Sequence, residues 1–230
     1  MSADFSPLNA AGLNLQAIFD LDALPPAMVA ALRGRCDPAG DYRQLLLIGH
    51  GGTTLWSSLA ASGIASADPI DAFSRQTFAA WFARQLPGHR HAIIYPGDIP
   101  VGLQALGTLA GWHHPSPFMV GINARWGTWF AYRVVALADT ALAPTRPEVG
   151  ASPCEGCRER PCVSACPADA LAGDTFSLEK CIGYRKRPDS RCRTTCLARL
   201  ACPVGSVHRY CSEQISHTYG ISLAMIERGY

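Results

Sequence analysis

The chain has 230 residues, is 48% hydrophobic and 17% charged, and carries a formal net charge of +2. This supports a globular, soluble protein with a sizeable core in one or two domains. The apolar stretches Leu45 to Ile48, Ile93 to Tyr95 and Val134 to Ala138 are strand-sized, far below the ~20 residues of a membrane span, and the first residues lack the basic start and apolar core of a secretory signal. A cytoplasmic protein with no membrane partner is expected.

In chain order, Leu45-Leu46-Leu47-Ile48 reads as a buried strand running into a turn at Gly49-His50-Gly51-Gly52, followed by a helix from about Leu55. The turn has neither the G-x-G-x-x-G spacing nor the Lys-Ser/Thr of a phosphate loop, so His50 is expected at the surface or as a cap. Asp68-Pro69 opens a second helix, with Asp68 as N-cap and Pro69 at the first helical position. Its stripe of Ile70, Phe73, Thr77, Phe78, Trp81 and Phe82 repeats at core-facing spacing to about Leu86.

Ala92 to Tyr95 reads as a strand, Val101 to Ala110 as a helix, and Phe118 to Ile122 and Trp129 to Ala138 as strands. His113-His114 are expected as loop residues without a metal, since no nearby carboxylate supports one. The alternation implies an α+β or α/β layer domain. Two prolines in residues 143–150 mark a linker.

Nine of the ten cysteines then follow between Cys154 and Cys211. Eight form two quartets that each close on Cys-Pro: Cys154, Cys157, Cys162 and Cys166, then Cys181, Cys192, Cys196 and Cys202. A 4Fe-4S cubane takes four thiolates, and in the two-cluster bacterial ferredoxin pattern the Cys before proline ligates the other cluster. Carried onto this chain, that pattern gives Cys154, Cys157, Cys162 and Cys202 to one cluster and Cys181, Cys192, Cys196 and Cys166 to the second.

The first run departs from the pattern with four residues before Cys162, and the second is stretched further. Zinc is disfavoured because only Cys154 and Cys157 form a Cys-x-x-Cys pair, and disulfides because no oxidising compartment is indicated. Cys211 is left over and is read as a buried free thiol.

Residues 151–211 hold ten Lys or Arg against six Asp or Glu, whereas residues 1–150 hold nine against ten. The surplus is either a solvated basic surface or a charge that raises the reduction potential of an anionic cluster. No binding motif surrounds the basic run Tyr184-Arg185-Lys186-Arg187, so nucleic acid is not an expected partner. Beyond the cysteines, Ile215, Tyr219, Leu223 and Ile226 are spaced as a helix in 212–230.

The stretch from Ile93 to Trp112, with its Ala-Gly close, and the stretch from Phe118 to Leu142, with Gly127-Thr128-Trp129-Phe130, resemble the epoxyqueuosine reductases, which carry such segments and a ferredoxin module in the same order. Trp126 to Arg133 and the Asp68-Pro-x-Asp71 helix start are similar to the cobalamin-trafficking decyanase and dealkylase family. The resemblance covers roughly residues 90–204. It implies a nitroreductase-like sandwich holding a corrinoid against its sheet, with the clusters passing electrons to cobalt.

On that resemblance Trp126, Gly127 and Trp129 would form a platform for a large ring, and Arg133 would lie near the substrate. The reductases carry an acidic Asp three residues before a proline; here that position is Gly97, and Asp98 is displaced by one, leaving it as a candidate acid or a helix cap. The helical-repeat extension those reductases often append for tRNA is not present in the sequence, which lowers the expectation of an RNA partner.

The architecture expected is α+β: a nitroreductase-like sandwich domain over 1–148, a ferredoxin-like domain with two 4Fe-4S clusters over 149–211, and a C-terminal helix over 212–230. The function expected is an iron-sulfur oxidoreductase passing electrons to a cobalamin or another acceptor in the first domain. It would be served by an electron donor such as a reductase, flavodoxin or ferredoxin, and would act on a small-molecule substrate. The alternatives are an electron-transfer protein whose first domain docks a partner without corrinoid, and a cobalamin-processing chaperone.

Overall fold

The structure is a computed structural model that describes residues 2–37, 39–173 and 175–229. Two compact units are found, and each is discontinuous in sequence: Met1–Ala110 with Phe130–Glu148, and Gly111–Trp129 with Val149–Tyr230. Residues 111–129 group with the cysteines. The reason is burial, since Phe118 packs with Cys162, Leu171 and Ala198.

The first unit is built on four strands, β1 (Leu15–Asp20), β2 (Gln44–Gly51), β3 (His91–Tyr95) and β4 (Phe130–Ala138), in the order β1-β2-β4-β3. Every neighbouring pair is antiparallel, which settles the choice between α+β and α/β in favour of α+β. All eight residues of β2 are buried, so this central strand reads as a continuous apolar run rather than an alternation. Its buried Gln44 is fully engaged: Nε2 donates to Asp20 Oδ1 and the Leu142 carbonyl, and Oε1 accepts from Thr140 and the Leu142 N–H.

Among the described residues five α-helices accompany the sheet: α1 (Ser6–Ala10), α2 (Pro26–Cys36), α3 (Thr54–Ser62), α4 (Pro69–Gln85) and α5 (Leu103–Leu109). At the start of α4 the Asp68 carboxylate accepts the Asp71 N–H at 3.3 Å, as an N-cap does. Helix α4 buries Ile70, Phe73, Phe78, Trp81 and Phe82, and Trp81 Nε1 donates to the Asp4 carbonyl at 2.7 Å. Thr77 stays half-exposed; the buried hydroxyl of the stripe is Ser74, which returns its proton to the Ile70 carbonyl at 2.7 Å. Helix α5 begins at Leu103, with Gly102 as an N-cap lacking a side-chain bond, so Asp98, exposed in the turn before it, does not cap it.

The second unit contains α6 (Pro161–Ser164), α7 (Leu178–Lys186), α8 (Leu197–Ala201) and α9 (Ser212–Gly229). The expected strand at Phe118–Ile122 does not form: Met119 is left-handed at φ 64°, and the pairing is a single bridge between His114 and Ile122. Pro115 and Pro117 remove two ladder donors there. Helix α9 packs Ile215 with Trp129 and Tyr210. Among the described residues no helix is long and apolar enough to cross a membrane.

Candidate functional site

The eight quartet cysteines lie on or beside three short helices, α6, α7 and α8. Cys154 and Cys157 lie in and just after the turn before α6, Cys162 within it and Cys166 just past it; Cys181 is in α7, Cys192 in the following turn, and Cys196 and Cys202 bracket α8. Helix α6 therefore has a thiol inside it and another beyond its end, and α8 has one before and one after.

These thiols line two cavities. One, of about 240 Å³, is walled by Cys154, Cys157, Cys162 and Cys202; the other, of about 130 Å³, by Cys166, Cys181, Cys192 and Cys196. Each run thus contributes three thiols to one cavity and one to the other. Phe118 and Phe176 line both cavities and form the partition between them. Phe118, from the segment 111–129, has no sequence signal tying it to the cysteines, and neither does Phe176.

A pair of glycines fixes the loop that carries Cys202. Gly127 and Gly205 both have left-handed backbones, at φ 59° and 63°, and each stands where an added Cβ would strike the other's segment: Val204 O from Gly127, and the Gly127 N–H and Trp126 carbonyl carbon from Gly205. The close approach that Gly127 permits is therefore taken up by the chain's own backbone rather than by an external ring. Trp126 and Trp129, expected as the rest of that platform, are both buried within the second unit, Trp126 at 4.5 Å from His208 and Trp129 at 5.3 Å from Tyr210.

The chemistry of the donor set suits a cluster. No group of three or more His, Cys, Asp or Glu among the described residues is placed to hold a metal ion. Four thiols about each cavity match in number and type the four thiolates that a 4Fe-4S cubane takes. Burial first and Cys196 second raise the Cys181 thiol to about 11, and burial followed by Cys202 raises Cys154 and Cys162. Thiols raised in this way hold their protons in water at neutral pH, and a metal ion bound among them would take them as thiolates. Cys211, expected as a buried thiol, is unpaired but partly exposed.

Of the basic run 185–187, Lys186 and Arg187 are exposed, but Arg185 is buried: its guanidinium donates to the carbonyls of Cys192 and Tyr219, at 3.1 and 2.9 Å. Arg199 is buried too, 4.4 Å above the Trp129 ring.

The first unit holds a separate polar group. His50 is wholly buried in β2, opposite Ala131, and is not in a surface turn; Arg133 Nε donates to its Nδ1 at 2.9 Å. A bulge at Ile48/Gly49 lets the strand run on through the glycines. Nearby, Asp71 has its carboxyl raised by burial and by Asp68, and Tyr95 its phenol raised by burial, with the Arg133 charge opposing both. Asp71 was legible only as a helix-start residue.

A carboxyl raised in the fold penalises its ionised form; the penalty is present at pH above the folded pKa and vanishes as pH falls below the unfolded one. Asp71→Asn is accordingly expected to raise the midpoint of thermal unfolding slightly at pH 7, with the gain disappearing near pH 3. A variant less stable than the parent at pH 7 would contradict this.

No protein-family model matches the chain, and no curated protein matches its sequence. Solved structures do match. Epoxyqueuosine reductase from Streptococcus thermophilus is 12% identical, with 87% of this chain aligned to 64% of that one at a TM-score of 0.55. Epoxyqueuosine reductase with a tRNA-Tyr epoxyqueuosine-modified stem loop is 12% identical, over 92% and 67%, at 0.57. A reductive dehalogenase described for B12-dependent dehalogenation is 15% identical, over 94% and 34%, at 0.50.

At these identities the likeness is one of fold: this chain has a fold similar to that of the epoxyqueuosine reductases. It spans 64% of the length of the first reductase.

Proposed function

We propose that the protein is an iron-sulfur reductase in which Cys154, Cys157, Cys162 and Cys202 hold one 4Fe-4S cluster, Cys166, Cys181, Cys192 and Cys196 hold a second, and the first unit carries the acceptor. The observation that supports this most is the crosswise sharing of thiols between two cavities. When bound, the clusters supply one-electron transfer, and a corrinoid acceptor supplies a cobalt centre that is active once reduced. The chain's own part is to space the two thiol sets by Phe118 and Phe176 and to keep the thiols shielded from water.

On the first unit, Arg133 is held by His50 and is suited to orient an anionic or carbonyl-bearing substrate. Two carboxyls there are candidate acids: Asp98, which stands in an exposed turn, and Asp71, whose carboxyl burial raises so that it keeps its proton to higher pH. Cobalamin as acceptor draws support from the fold likeness to a B12-dependent dehalogenase, and an RNA substrate from the likeness to the tRNA-bound reductase. The electron donor would be a reductase, flavodoxin or ferredoxin.

The burial of Trp126 and Trp129 in their own unit favours a second reading, an electron-transfer protein whose first unit docks a partner and binds no corrinoid. Titration of anaerobically purified protein with hydroxocobalamin separates the two. A reductase of the first kind shifts the cobalamin visible spectrum at stoichiometric protein; a spectrum unchanged at tenfold excess leaves the docking protein. A modified tRNA stem loop and a halogenated aromatic acid are the substrates to add in the next step.

A further inference from the structure

The two cysteine cavities differ in the charge around them. The first has Arg160 at its wall, and that residue is exposed to solvent. The second is lined by Arg185, with Arg199 directly after its residues Cys196 to Ala198. Both of these arginines are 7% exposed.

Their hydrogen bonds go to neutral groups. Arg185 donates to the carbonyls of Cys192, Arg193 and Tyr219 and to the Ser222 hydroxyl. Arg199 donates to the Thr128 carbonyl at 2.5 Å and covers the Trp129 and Tyr210 rings, and its Nε has no hydrogen-bond partner. Among the described residues neither arginine is paired with a carboxylate. A guanidinium taken out of water without a counter-anion is strongly unfavourable, and two beside one cavity call for an anion in it.

We infer that Arg185 and Arg199 are the buried counter-charges of the second cluster, and that they make it the more easily reduced of the two, so that the first electron delivered to the protein settles there. This rests on the reading that both cysteine sets hold clusters. Four thiolates give a 4Fe-4S site net negative charge, and one added electron increases it. Buried cations stabilise that increase more than an exposed one, which water and salt screen.

The test is a dithionite titration of anaerobic holoprotein, with iron content measured first and the two reduced-cluster EPR signals followed against potential. Dithionite donates one electron to each cluster in turn. Cys162→Ala and Cys196→Ala assign the signals to the first and second sets. The signal lost in Cys196→Ala is expected to appear first in the parent protein, and Arg199→Gln and Arg185→Gln to move that signal alone to lower potential. Arg199→Lys, which keeps the charge, is expected to leave it near the parent value.

Full iron with the first set reduced first, or with both signals moving equally in the Gln variants, overturns the inference while leaving the cluster reading intact. Iron-free or zinc-bearing parent protein overturns both. Should the Gln variants fail to fold, the order of reduction in the parent, assigned through the cysteine variants, decides alone.

Discussion

Cys202→Ala is expected to empty the cluster site of the first cysteine run while the second run keeps its own, lowering anaerobic iron from about eight to about four per chain. The expectation follows from where the thiols stand. Cys202 closes the second run in sequence but lines the cavity of Cys154, Cys157 and Cys162. Three thiolates leave one iron of a cubane open to solvent.

Double variants make the test sharp. If the cavities are the sites, Cys202→Ala with Cys157→Ala retains about four iron, since both residues belong to one site, whereas Cys202→Ala with Cys196→Ala retains none. Sharing within each run reverses the two results, and iron analysis with EPR reads the difference directly.

Gly205→Val is expected to be severely damaging although the residue carries no chemistry. A β-branched side chain at φ 63° is strained, and its Cβ meets the Gly127 N–H and the Trp126 carbonyl carbon, which are backbone and cannot rotate aside. Strain of ~1–3 kcal/mol and overpacking of ~1–3 kcal/mol add to a large share of an ordinary domain's ~5–15 kcal/mol. Because the same loop begins at Cys202-Pro203, loss of the first cluster should accompany a lowered unfolding midpoint. Gly156→Ala is the control: its backbone is not left-handed, nothing lies within 4 Å of its Cβ position, and it sits between two thiols of the same cavity. It should retain the parent's iron and midpoint, and a Gly205→Val protein that does likewise would refute the assignment.

Some of this was legible from residues alone, for identifiable reasons. Helix α4 announces itself because Asp68-Pro69 supplies a cap and the first turn while the apolar stripe supplies the buried face, three signals that agree. β2 was found but its end was missed, since Gly-His-Gly-Gly is turn chemistry and what keeps it extended is pairing with β4, a long-range fact. Edge strand β1 and helix α2 gave no signal, the first burying only Ala17 and Ile18 and the second only Leu32.

The segment at Phe118 was misread for a related reason. An apolar stretch that follows two prolines fits a sheet or a cysteine lobe equally, because periodicity records that a side chain is buried and not what buries it. The same limit hid Arg185, one inward-facing cation in a run of three. Cysteine spacing, by contrast, carried its information locally.

The placing of residues 111–129 with the cysteine lobe bears on how such a protein can be altered by gene exchange. A single recombination point at residue 149 would transplant the eight thiols but leave behind Phe118, the shared wall of their two cavities, and Gly127, the seat of the Cys202 loop. Inheritance of a working lobe requires two crossovers on either side of the inserted stretch as well as the one at 149. The wiring and the scaffold are therefore expected to travel through evolution as one piece.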